Sequence, residues 1–84
     1  MNEQDIKSAV KTYVLTEFLP GEDPSALTDA TQLITTGVLD SISVLKLVTF
    51  LESHFGITLS AHETDVEHLN TLPLIAALVK SKLA

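Results

Sequence analysis

The chain has no cysteine, and its basic residues number only five against eleven acidic ones. Without cysteine there can be no disulfide and no thiolate metal site, so any thiol chemistry must come from a group attached after synthesis. The formal net charge of −6 argues against nucleic acid, which binds basic surfaces that displace counterions. This charge instead suits protein partners that carry Lys or Arg around their docking sites.

The sequence also lacks an apolar run long enough to span a bilayer. Its acidic and polar start, Met1 to Asp5, does not resemble a secretion signal, which begins with basic and then apolar residues. We therefore expect a cytoplasmic, monomeric protein that does not bind membranes. With 84 residues, of which 45% are hydrophobic, we expect residues 1–84 to form one small domain.

The spacing of apolar residues indicates an all-α fold, because most long segments repeat at three and four residues and none alternates convincingly. It predicts a small four-helix bundle with a long first loop, in which three helices are longer and the third is short. Pro20-Gly21 ends the first helix, Asp40 caps the second, and Leu74 is expected to be buried in the fourth. The predicted helices cover residues 2–18, 41–54, about 63–68 and 72–83, and the loop covers 19–40.

The segment Gly37-Val38-Leu39-Asp40-Ser41-Ile42-Ser43 places Ser41 in the first turn of the second helix. A serine there is exposed at the electropositive end of the helix dipole. A nucleophilic serine needs a nearby base, yet His54 lies roughly 20 Å along the same helix, and no nucleophile elbow surrounds Ser41. A hydrolase is therefore disfavoured. The histidines also lack the four-residue spacing of a helical metal pair, so no metal site is expected.

Two separated motifs resemble those of the acyl carrier and peptidyl (aminoacyl) carrier proteins. They are Leu39-Asp40-Ser41-Ile42 and Leu51-Glu52-Ser53-His54-Phe55-Gly56-Ile57, and the resemblance covers essentially the whole chain. It implies that a phosphopantetheinyl transferase attaches 4′-phosphopantetheine from coenzyme A to Ser41, and that Asp40 helps to bind the transferase's magnesium. It further implies a non-catalytic carrier that holds cargo as a thioester and presents it to a loading ligase and to downstream transferases or synthases.

Two apolar residues, Ile42 and Leu45, lie outside the apolar stripe of the second helix, and a third, Leu39, directly precedes its cap. We expect them to form an exposed docking patch, although the alternative that Ile42 and Leu45 complete the core stays open at this stage. Lys46 stands where carriers of fatty acid synthesis have a carboxylate, so we add it to the docking residues. This difference indicates a specialised or secondary-metabolite pathway. The alternative function is an unmodified helical interaction module.

Overall fold

The computed structural model describes residues 2–83, which form a bundle of four α-helices. No strand occurs within this range, so the predicted all-α class is confirmed. The helices are α1 (Glu3–Phe18), α2 (Ser41–Phe55), α3 (Val66–Leu69) and α4 (Leu72–Leu83), with short 3₁₀ turns at Pro24–Ala26 and Ala61–Glu63.

Helix α1 packs mainly against α4 along one apolar stripe. The side chain of Asn2 caps α1 by accepting a hydrogen bond from the backbone N–H of Asp5 at 2.8 Å. On α4, Ile75 and Val79 are fully buried, but the predicted burial of Leu74 is wrong, because this residue lies at the edge of the stripe and stays 40% exposed. The buried stripe of α1 consists of Ile6, Val10 and Val14.

Helix α2 begins and ends where its local sequence predicts. The Asp40 carboxylate accepts the N–H of Ser43 at 2.8 Å, so the predicted N-cap is confirmed. Gly56 ends the helix in the left-handed conformation at φ 67°, which glycine adopts without a steric penalty. The buried face of α2 consists of Leu47, Leu51 and Phe55.

The third helix is shorter than predicted and starts later. Ser60 and Glu63 cap each other and close the Ala61–Glu63 turn, so the chain is not α-helical there. A second cap, Asp65, accepts the N–H of His68 and starts the four-residue helix α3. The predicted start of the helix at Glu63 is therefore the end of a 3₁₀ turn, and the α-helix begins three residues later at Val66.

The long first loop is fixed by Asn70 to the segment between α3 and α4. Its side-chain oxygen accepts the N–H groups of Ile34 at 2.9 Å and Thr35 at 3.1 Å, and its carbonyl accepts the N–H of Leu33. Leu27 and Leu33 of this loop are fully buried. The loop thus contributes to the core, and its end, just before α2, has a defined position.

Candidate functional site

Ser41 is the first residue of α2 and its side chain is exposed. The chain turns into the helix at Asp40, whose carbonyl accepts the N–H of Val44 at 2.8 Å. Hydrogen bonds from Ser43, first from its backbone N–H and then from its side chain, hold the pKa of Asp40 below its usual value. Ser41 therefore lies beside a carboxylate that is ionised at neutral pH and at the positive end of the helix dipole.

A shallow cleft opens beside Ser41, between the end of the first loop, the start of α2 and the segment before α3. Its walls are mostly apolar, and its polar groups lie near Ser41 and Thr64. Asn70 positions one wall through Ile34, and the Asp65 cap positions the other at the start of α3. The lining residues are Ile34, Leu39, Asp40, Ser41, Val44, Thr64 and Val66.

None of the three histidines lines this cleft. The imidazole of His68 pairs with Asp65 at 2.7 Å, and that of His62 contacts the Ser60 hydroxyl at 3.2 Å. His54 stacks on Phe50 near the far end of α2. The cleft therefore brings Ser41 together with Asp40, and no histidine of the described residues lies there to activate the hydroxyl.

Of the predicted docking residues, Leu39 is placed differently from expectation. The expected exposure of Leu39 is wrong, because its side chain is only 2% exposed and belongs to the hydrophobic core. Its backbone N–H donates to the carbonyl of Leu33 at 2.9 Å, a bond that folds the loop back and directs Leu39 inward. Ile42 and Leu45 are both 67% exposed, which excludes the core alternative for them, and Lys46 is also exposed. Their docking role stays a prediction.

Sequence reasoning missed a second surface, a groove between α1 and α2. We call it the α1–α2 groove and define it by six of its lining residues, Tyr13, Ile42, Leu45, Lys46, Phe50 and His54. Phe50 is stacked against Tyr13 at 4.1 Å and against His54 at 4.9 Å between ring centroids. Burial raises the pKa of the Tyr13 hydroxyl, and Glu17 raises it further. The four-residue spacing of Phe50 and His54 signals their contact, whereas Tyr13 comes from another helix.

The fold resembles that of a solved carrier protein. A peptidyl carrier protein structure, KstB-PCP in its apo form, superposes with a TM-score of 0.75 at 27% sequence identity. The match covers 99% of this chain and 91% of the other chain. No protein-family model matches the chain. Within residues 2–83, no helix combines the length and apolar character needed to cross a membrane. The comparison supports a carrier-protein fold and a carrier role.

Proposed function

We propose that this protein is a carrier whose Ser41 bears 4′-phosphopantetheine and that it transports acyl or aminoacyl groups as thioesters. The observation that carries the proposal is an exposed serine that follows the Asp40 cap at the start of α2, in a bundle similar to a peptidyl carrier protein. The chain has no thiol of its own, and the attached group would supply one at the end of a flexible arm.

The start of α2 fits a phosphodiester on both steric and electrostatic grounds. The hydroxyl of Ser41 is accessible, and the first backbone N–H groups of a helix, together with its dipole, stabilise an anion. In the attachment reaction, Ser41 Oγ forms a bond to the phosphorus that carries the pantetheine portion of coenzyme A. The bond from this phosphorus to the rest of coenzyme A breaks, 3′,5′-ADP leaves, and a base of the transferase accepts the hydroxyl proton.

Asp40 has two roles in this proposal. As the N-cap of α2 it fixes the start of the helix, and hence the position of Ser41. Its lowered pKa keeps it ionised, so it also offers a carboxylate oxygen to the magnesium that the transferase brings. The cation would offset the repulsion between this carboxylate and the phosphate groups during transfer.

The test is the intact mass of the protein after incubation with coenzyme A, magnesium and a broad-specificity phosphopantetheinyl transferase. We expect a gain of one 4′-phosphopantetheine, no gain for Ser41→Ala, and a normal gain for Ser53→Ala, a matched exposed serine on the same helix. Modification of Ser41→Ala, or no modification of the wild-type protein, would refute the proposal. The latter result would favour the alternative, an unmodified interaction module that uses the exposed Ile42 and Leu45.

The charge of α2 supports the finer assignment of the carrier to a specialised pathway. Its exposed face carries Lys46, and its one acidic residue, Glu52, is half-buried and accepts the N–H of Leu59, so basic partners of the kind that bind an acidic helix would be repelled here. We therefore propose that residues 1–84 act as one cytoplasmic, monomeric carrier domain that serves a dedicated loading ligase rather than the housekeeping fatty acid synthase.

A further inference from the structure

The α1–α2 groove begins directly beside the proposed attachment site. Ile42 is the residue after Ser41, and the groove continues along α2 as far as His54. Twelve residues of α-helix separate its two ends on α2, roughly 18 Å or about three turns. A branch over α1 shares Tyr13, Phe50 and His54 with it. A protein that occupies this groove would therefore lie next to any group carried by Ser41.

The groove has a preformed aromatic floor and an exposed aliphatic wall. The Tyr13 hydroxyl donates a hydrogen bond to the carbonyl of Lys46 at 3.1 Å, which joins α1 to α2 and fixes the ring stack. Ile42 and Leu45, each 67% exposed, form the wall. Exposed apolar side chains beside ordered aromatic rings are typical of interface hot spots, where partners insert apolar anchors.

The charge of the groove is opposite in sign to that of the chain. The protein has a net charge of −6, yet the residues that line the groove include Lys46 and no carboxylate, and Glu17 lines only the branch over α1. Among residues 2–83, Lys46 forms no ion pair, whereas Lys7 and Lys82 pair with Asp29 and Glu63. The Glu52 carboxylate is engaged elsewhere, since it accepts the N–H of Leu59 at 3.0 Å.

A partner that covers the groove must compensate for the desolvation of Lys46. An ammonium group removed from water without a counter-ion is strongly unfavourable, and a second cation opposite it adds repulsion. The length of the groove and its position between two helices suit an amphipathic helix with anchors at helical spacing. We infer that the α1–α2 groove binds an amphipathic helix of a partner protein, with an apolar side chain over Phe50 and an Asp or Glu opposite Lys46.

This inference deepens the proposed function, because it specifies a partner's chemistry at the carrier site, but its test does not require the arm. The probes are two helical peptides with the same apolar face of Leu and Trp, which differ by Glu or Lys at one flanking position. Each is titrated into ¹⁵N-labelled protein, and amide shifts are followed by NMR. We expect the Glu peptide to shift Tyr13 and residues 42–54, and to bind about two- to tenfold more tightly than the Lys peptide.

Charge-reversal variants test whether the preference for the Glu peptide comes from direct pairing with Lys46 or from the net charge of the protein. We expect Lys46→Glu to reverse the preference, Lys80→Glu, on an exposed position of α4, to leave it unchanged, and Leu45→Ala to weaken both peptides. The inference would be overturned if the two peptides bound with equal affinity, or if the Glu peptide did not bind at millimolar concentration. It would also be overturned if the amide shifts lay outside the groove, or if Lys46→Glu and Lys80→Glu had the same effect. If the peptides behave as expected while the mass test fails, the groove stands and the carrier proposal falls.

Discussion

Replacing Leu39 and Leu45 separately by alanine gives a matched test of which residues build the core and which form the surface. Both changes remove the same three carbon atoms, but Leu39 is 2% exposed and Leu45 is 67% exposed. At about 0.8 kcal/mol per buried carbon, Leu39→Ala loses about 2.4 kcal/mol of transfer free energy, and the cavity raises the loss towards about 5 kcal/mol. For Leu45 only a third of that transfer term applies, about 0.8 kcal/mol, and the higher helix propensity of alanine offsets part of it.

The assay is equilibrium unfolding in urea, monitored by far-ultraviolet circular dichroism, which reports on all four helices. We expect Leu39→Ala to lower the free energy of unfolding by about 2–5 kcal/mol and Leu45→Ala by less than about 1 kcal/mol, with the same dependence on urea. The two variants should also differ in function, since only Leu45→Ala is expected to weaken binding in the groove while the fold stays intact. Equal destabilisation, or a larger effect of Leu45→Ala, would refute the placement of these two leucines.

Substitutions at two further positions, Glu63 and Asn70, test the contacts that hold the loops. Glu63 has a pKa lowered to about 2 from 4.5, first by the hydrogen bond from Lys82 and then by those from Ser60. Because a lowered acid pKa stabilises the folded state above the unfolded pKa, this stabilisation should be complete above about pH 4.5 and fade as the pH falls towards 2. Glu63→Gln should flatten the corresponding slope of unfolding free energy against pH, and an unchanged slope would contradict the ion pair. Asn70→Ala should lower the free energy of unfolding by about 1–3 kcal/mol, since the half-buried N–H of Ile34 loses its acceptor, whereas Asn70→Asp retains an acceptor and should lose less in the same urea assay.

The long helices could be predicted from the sequence because their signals are local. In α1, α2 and α4 the apolar spacing and the end signals agree, as with the Asp40 cap and the Gly56 stop of α2. The third helix was placed too early because Glu63 looks like a residue of a helical turn. Its carboxylate instead binds Ser60 and the distant Lys82, and this tertiary contact fixes a 3₁₀ turn. The spacing of apolar residues over only four positions cannot show whether the chain forms a 3₁₀ turn or an α-helix.

In the candidate site, too, features set by neighbouring residues could be predicted from the sequence, whereas contacts between distant segments could not. The pairing of Asp40 with Ser41 at a helix start needs only neighbouring residues, and the structure confirms the cap and the exposure of the serine. Leu39 lies before the helix, where helical periodicity no longer predicts direction, and its bond to Leu33 turns it inward. Tyr13 joins the groove only because α1 packs beside α2, which no local pattern contains.

The negative charge of the chain and the single cation of the groove act at different distances. Most carboxylates lie away from the exposed face of α2, in the first loop and around α3, and their combined field attracts a positively charged partner before contact. At physiological ionic strength this attraction is screened beyond about 8 Å, so contact is decided by the groups that meet directly. There Lys46 favours a carboxylate. A partner suited to both the long-range attraction and the contact at Lys46 has basic residues around the edge of its docking surface and acidic and apolar residues at the centre. A uniformly basic docking surface would place a cation opposite Lys46 and would fit less well.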